Sequence, residues 1–113
     1  MIKVAIIVPT IDRLDFVIRL VNYYVKVESP HPIFIGDASS QSSEELVIKA
    51  AQGKLDIYYF HWEKLSDRRT EIKLAEEALL IGFSKYCAFT GDDDFFIPDS
   101  LSKCAEFLDK NPE

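Results

Sequence analysis

Apolar residues fall along this chain in two alternating rhythms. Ile2-Lys3-Val4-Ala5-Ile6-Ile7-Val8 is a β-branched run stopped by Pro9, the pattern of a strand buried on both faces. After Thr10-Ile11-Asp12-Arg13 the period changes: Leu14, Val17, Ile18, Val21 and Val25 line one helical face. Asp12 is placed to cap that helix, and Ser29-Pro30-His31-Pro32 ends it. A second strand spans Pro32 to Asp37, and a helix runs from Ser43 or Glu44 to about Gln52, with Gly53 as its stop. Leu55-Asp56-Ile57-Tyr58-Tyr59-Phe60 predicts a third strand. The polar stretch Glu63–Arg69 leads into a longer helix through Lys85, with Ile72, Ala75, Leu79 and Gly82 on its buried side. Tyr86–Thr90 reads as the fourth strand. Pro98 then opens a last helix striped by Leu101, Cys104, Ala105 and Leu108.

Strands alternating with helices predict an α/β fold: a Rossmann-like, three-layer α/β/α sandwich with a mainly parallel sheet of about four strands. Residues 1–113 are expected to form one domain, or a piece of one, without internal repeat or linker. Ligands of such sheets bind outside the carboxyl ends of the strands. Those ends gather Pro9–Arg13, Asp37–Ser40, the stretch after Phe60, and Asp92–Asp94 onto one rim.

A hydrophobic fraction of 48% suits a packed core, and a net charge of -6 argues against nucleic-acid partners. Cys87 and Cys104 form no CxxC pair and read as reduced core residues. No segment is long and apolar enough for a transmembrane span, and a cytoplasmic location is expected.

Gly91-Asp92-Asp93-Asp94 is the chemically sharpest feature. Adjacent carboxylates repel one another unless a cation offsets them, and hard divalent ions take carboxylates together with substrate phosphates. Asp37 closes a strand, where an acid accepts hydrogen bonds from a nucleobase imide or ribose, or caps the next loop or helix. Arg68 and Arg69 suit diphosphate oxygens or a solvated helix start. His31 between prolines reads as a surface loop residue, and Trp62 as a residue that stacks on a base or sugar or, more often for this type, packs at the sheet end. Gly36, Gly53, Gly82 and Gly91 match no phosphate-binding glycine motif.

These residues resemble the nucleotide-binding half of inverting family 2 glycosyltransferases with the GT-A fold. The first strand of that family ends in a PTYNR-like run, matched by Val8-Pro9-Thr10-Ile11-Asp12-Arg13. Its second ends in a DDGS-like motif, matched by Gly36-Asp37-Ala38-Ser39. Its fourth ends in a DxD-type motif before a hydrophobic-Pro-Asp-x-Leu segment, matched from Asp92 to Leu101. The resemblance implies a nucleoside-diphosphate sugar as ligand, a UDP-sugar in first place, with Mn²⁺ or Mg²⁺ as cofactor. Pro9, Thr10, Ile11, Asp12 and Arg13 would line the base pocket. Asp37 would accept the imide hydrogen bond, beside Ser39. Arg68 or Arg69 would contact base or diphosphate, Asp92 would hold the ribose, and Asp93 and Asp94 would hold the metal.

Three departures stand out: Ile11 replaces an aromatic, Gly36 replaces an acid, and Ala38 replaces a glycine. In the family, the acceptor site and catalytic base lie in a C-terminal half. The resemblance therefore implies a donor-binding part that does not complete transfer by itself, with no catalytic residue identifiable and the acceptor unknown. An exposed sheet edge would offer a route to a homodimer. Two other readings compete. One is a non-catalytic α/β assembly module with a surface acidic turn. The other is a receiver-like domain, against which the principal acids follow the wrong strands.

Overall fold

A computed structural model describes residues 3–82 and 85–111. The apolar runs form four strands, β1 (Val4–Thr10), β2 (Ile33–Asp37), β3 (Ile57–His61) and β4 (Tyr86–Phe89). Between and after them lie α1 (Leu14–Lys26), α2 (Glu44–Ala51), α3 (Asp67–Ile81) and α4 (Pro98–Lys110). The sheet is parallel throughout, in the order β3-β2-β1-β4. Successive strands move outward on one side of β1 and then return to its other side. That reversal puts a topological switch point between β1 and β4.

Side-chain alternation divides the core. Val4, Ile6 and Val8 of β1 pack with Val17, Leu20, Val21 and Tyr24 of α1, with α2 and with α4. Ala5 and Ile7 face the opposite layer, where Phe34, Leu74 and Ala78 complete a smaller cluster under α3. The three-layer expectation holds. No helix among the described residues is long and apolar enough to cross a membrane.

β1 runs through Pro9 rather than stopping before it. Even-numbered residues of β1 bond to β2, as in Ile6 N–H to Pro32 O and Ala38 N–H to Thr10 O. Odd-numbered ones face β4, whose last bond into the strand is Thr90 N–H to Ile7 O. The missing N–H of Pro9 thus falls where β4 has ended, so no ladder bond is lost. β3 is displaced toward its C-terminus and ends on His61, level with Asp37 and Thr10.

Two helices bury a different stripe from the expected one. α3 turns Thr70, Leu74 and Ala78 inward, while Ile72 and Leu79 are 53% and 67% exposed. The buried stripe is the one that packs on the bare backbone of Gly36, which Thr70 and Leu74 approach closely. The helix stops at Ile81 because Gly82 adopts a left-handed C-cap, so Gly82 terminates the helix instead of lining its buried side. Expected helical positions at 83 and 84 lie outside the described residues. On α4, Leu101 and Ala105 are buried, but Leu108 and Cys104 are exposed. Cys104 is therefore a surface thiol, whereas Cys87 is half-buried and burial pushes its thiol up.

His31 is not a surface residue. It is 1% exposed and links β1 to α4. Its Nδ1 accepts the Val4 N–H at 3.0 Å, which puts the ring proton on Nε2. Nε2 donates toward Pro98 O at 3.2 Å and Ser102 Oγ at 3.1 Å. Burial holds the imidazole below its ordinary value near 6.5, and a second proton on Nδ1 would collide with the Val4 N–H. A lowered value makes the neutral ring's contribution to stability complete above about pH 6.5. That contribution is lost as pH falls through the folded-state value. Thermal melts should therefore show a midpoint that drops between pH 7 and pH 5. His31→Asn should lower the pH 7 midpoint by roughly 4–8 °C per kcal/mol lost and flatten the pH slope. A slope unchanged by the substitution would contradict this role.

Candidate functional site

Three neighbouring strands end level, at Thr10, Asp37 and His61, and the segments beyond the first two, with Tyr59 of the third, line a cavity of about 480 Å³. Its wall includes Thr10, Asp12, Arg13, Asp37, Ser39 and Tyr59. Asp12 takes a left-handed backbone with φ of 52°, and its N–H donates to Ser39 Oγ at 2.7 Å. It therefore does not cap α1: Arg13 holds the cap position, without a side-chain capping bond. The first two loops are thereby fastened to each other through Ser39.

Asp37 is 4% exposed and surrounded by donors. Ser39 N–H donates to Oδ1 at 2.9 Å, and the Tyr59 hydroxyl donates to Oδ2 through a short hydrogen bond. Tyr59 Oη in turn accepts the Ser43 N–H at 2.9 Å, at the start of α2. Burial, and next the bond to Asp37, push the Tyr59 phenol up to about 12. His61 Nε2 donates to Ser39 O at 2.6 Å and ties the third strand end to the same loop.

The acidic turn joins this rim through Asp92, which is 6% exposed. Its Oδ2 accepts from Thr10 Oγ1 at 2.8 Å, and its Oδ1 lies 3.2 Å from Arg13 Nε. Asp93 sits 3.7 Å from the same guanidinium. The turn is also held from behind. Phe95 stacks on Tyr23 at 4.6 Å, and Phe96 N–H donates to the buried Tyr24 hydroxyl at 2.9 Å. With Asp92 committed to Thr10 and Arg13, the turn's exposed carboxylates are Asp93 and Asp94. No group of three His, Cys, Asp or Glu side chains encloses a metal site among the described residues. Two exposed carboxylates fit a Mg²⁺ or Mn²⁺ ion that takes its other ligands from a substrate phosphate, and do not fit a site closed by protein alone.

Comparison with known proteins agrees with this architecture. The chain is 29% identical over 114 residues to an uncharacterized glycosyltransferase of Rickettsia bellii, a match covering 96% of this chain and 15% of that protein. The fold superposes on S. aureus TarS 1–349 with a TM-score of 0.73 at 17% identity, over 96% of this chain and 33% of that one. TarS 1–349 in complex with UDP and in complex with UDP-GlcNAc matches with a TM-score of 0.68 at 19% identity. The chain is glycosyltransferase-like. It spans about a third or less of the length of the proteins it matches. No protein-family profile matches it.

Set against this likeness, the sequence-derived positions sort clearly. Thr10, Asp12, Arg13, Asp37 and Ser39 share the cavity, and Asp92 and Asp93 reach it through Arg13. Pro9 lies within β1 opposite Gly36, and Ile11 is 45% exposed beyond the strand. Arg68 and Arg69 lie in the first turn of α3, and neither lines the cavity. Arg68 borders a separate groove with Ile72, Leu79 and Phe89. Trp62 stacks on Phe60 at 5.0 Å, at the sheet end. Tyr59 and Phe16 also line the cavity, although the sequence pattern places neither in a site. Phe16 lies under the Arg13 guanidinium at 4.1 Å, and its spacing three residues after Arg13 at a helix start is the signal that could have found it.

Gly36, where the resembled motif carries an acid, has a steric cause. α3 crosses β2 so closely that a Cβ here would run into Thr70 Cγ2 and lie 3.1 Å from Leu74 Cδ1. Gly36→Ala should cost about 1–3 kcal/mol, read as a lowered denaturant midpoint at unchanged m-value. An unchanged midpoint would show that α3 can retreat freely.

Proposed function

We propose that this chain is the donor-binding part of a GT-A, family 2-like inverting glycosyltransferase that uses a UDP-sugar. The observation that carries the reading is the Thr10–Asp92–Arg13 junction, which brings the acidic turn to the rim of the cavity holding Asp37. A nucleoside diphosphate has a polar base edge at one end and clustered negative charge at the other. The rim offers a buried acceptor for the first and a metal-competent acidic pair for the second. The likeness to TarS, whose complexes contain UDP and UDP-GlcNAc, supports the choice of nucleotide.

In this reading Asp37 accepts the base N–H while Thr10, Asp12 and Arg13 form part of the pocket wall. Ser39 fixes the loop by accepting the Asp12 N–H. Asp92 accepts from a ribose hydroxyl beside its bonds to Thr10 and Arg13. Asp93 and Asp94 hold a divalent ion, which when bound supplies positive charge to the diphosphate. The Arg13 guanidinium keeps the adjoining carboxylates together at the rim. Inverting transfer also requires a base for the acceptor hydroxyl, and we assign none of the described residues to that task.

Titration calorimetry of UDP with Mn²⁺ and then with EDTA tests the proposal. Binding should require the ion and weaken about tenfold or more in Asp93→Asn, since one lost charged contact is worth about 1.5–3 kcal/mol. UDP binding indifferent to both EDTA and Asp93→Asn would refute it.

A further inference from the structure

We propose that Tyr59 is a specificity-determining residue: its hydroxyl proton, given to Asp37, pins that carboxylate so that it meets the base as an acceptor and Tyr59 has no proton left to offer. The wall then takes a base presenting a ring N–H, as uracil does, and rejects one presenting a ring nitrogen lone pair there, as cytosine does. This inference rests on the donor-site reading above and goes beyond it, because nothing in the family-like motifs involves the third strand.

Donors and acceptors at this wall can be counted. A carboxylate only accepts, and a tyrosine hydroxyl has one proton. Ser39 N–H and Tyr59 O–H each donate to one oxygen of Asp37, so the carboxylate plane is pinned at both ends. Tyr59 Oη accepts from Ser43 N–H and has given its proton to Asp37, so it has no donor left for the cavity. The phenol's rise to about 12 keeps that proton in place across the neutral range. Both residues line the same cavity, and Asp37 is 4% exposed in all. A pinned carboxylate cannot turn away from an opposing lone pair, and that repulsion is the element that rejects the wrong base. Sites built on buried hydrogen-bonding groups discriminate strongly because a mismatched ligand leaves them unpaired.

Tyr59→Phe removes the hydroxyl and keeps the ring. Asp37 can then rotate, which loses alignment for UDP and relieves repulsion for CDP. Calorimetry with Mn²⁺ should be run on UDP, CDP and inorganic pyrophosphate, for the wild-type chain and the variant. The wild type should favour UDP over CDP by about tenfold or more. In the variant, UDP should weaken about tenfold while CDP holds or gains and pyrophosphate is unchanged. Asp37→Asn places an amide donor at the wall and should bring CDP to at least equal UDP, a check independent of how well Tyr59→Phe folds. An unchanged UDP-to-CDP ratio in Tyr59→Phe, or a parallel fall that includes pyrophosphate, would overturn the assignment and leave Tyr59 a structural residue. A folded wild type that binds pyrophosphate but does not prefer UDP would overturn it while sparing the metal and diphosphate site. Failure of wild type to bind either would defeat the donor-site reading and this inference with it.

Discussion

The buried carboxylate of Asp92 is the constraint around which this rim is organised. It accepts from Thr10, 82 residues away in sequence, and pairs with Arg13 in the loop that Thr10 begins. A charge this inaccessible is costly unless its partners are in place, because an unpaired buried ion carries several kcal/mol of desolvation. Removing either partner therefore exposes that cost. The fold answers it with a hydroxyl from a strand end and a guanidinium from the following helix start. The acidic turn is fixed against β1 as a result, and Asp93 and Asp94 project from a defined base. The Phe95–Tyr23 stack and the Phe96–Tyr24 hydrogen bond secure the same turn against α1. One strand end thus carries both halves of the site, the pocket and the acidic pair.

The opposite layer constrains the site in another way. Only α3 covers that face of the sheet's centre among the described residues, and it does so by pressing Thr70 and Leu74 against the bare backbone of Gly36. The approach leaves the Thr70 hydroxyl without a hydrogen-bond partner among the described residues, a cost of about 1–3 kcal/mol that close packing evidently outweighs. Gly36 immediately precedes Asp37, so the packing that excludes a side chain at one position sets the strand end from which the next one reaches the cavity.

Much of this architecture is legible in the chain. The β-branched runs and helical stripes mark every element, their order implies a parallel sheet, and the strand-end rule gathers Thr10, Asp37 and Asp92 without any geometry. The failures have physical causes. Pro9 reads as a stop because its missing N–H is harmless only where a neighbouring strand has ended, and strand lengths across a sheet are not a local property. In α3 the sequence pattern points to Ile72, Ala75, Leu79 and Gly82, whereas the face that packs on Gly36 is Thr70, Leu74 and Ala78. His31 reads as exposed between two prolines, yet the hydrogen-bonding partners of its ring come from residues 4, 98 and 102. Tyr59 escapes notice because its role depends on a hydroxyl reaching across from the next strand to Asp37, a contact with no motif.

The central claim is that one rim holds nucleotide and metal together. Nuclear magnetic resonance with substoichiometric Mn²⁺ tests it most directly, since the ion broadens only the amides near it. With UDP present, amides of residues 91–96 and 10–13 should broaden first, and far less broadening should appear when UDP is withheld. Broadening centred elsewhere, such as on Glu71 and Glu76 of the α3 groove, or a pattern indifferent to UDP, would contradict the account.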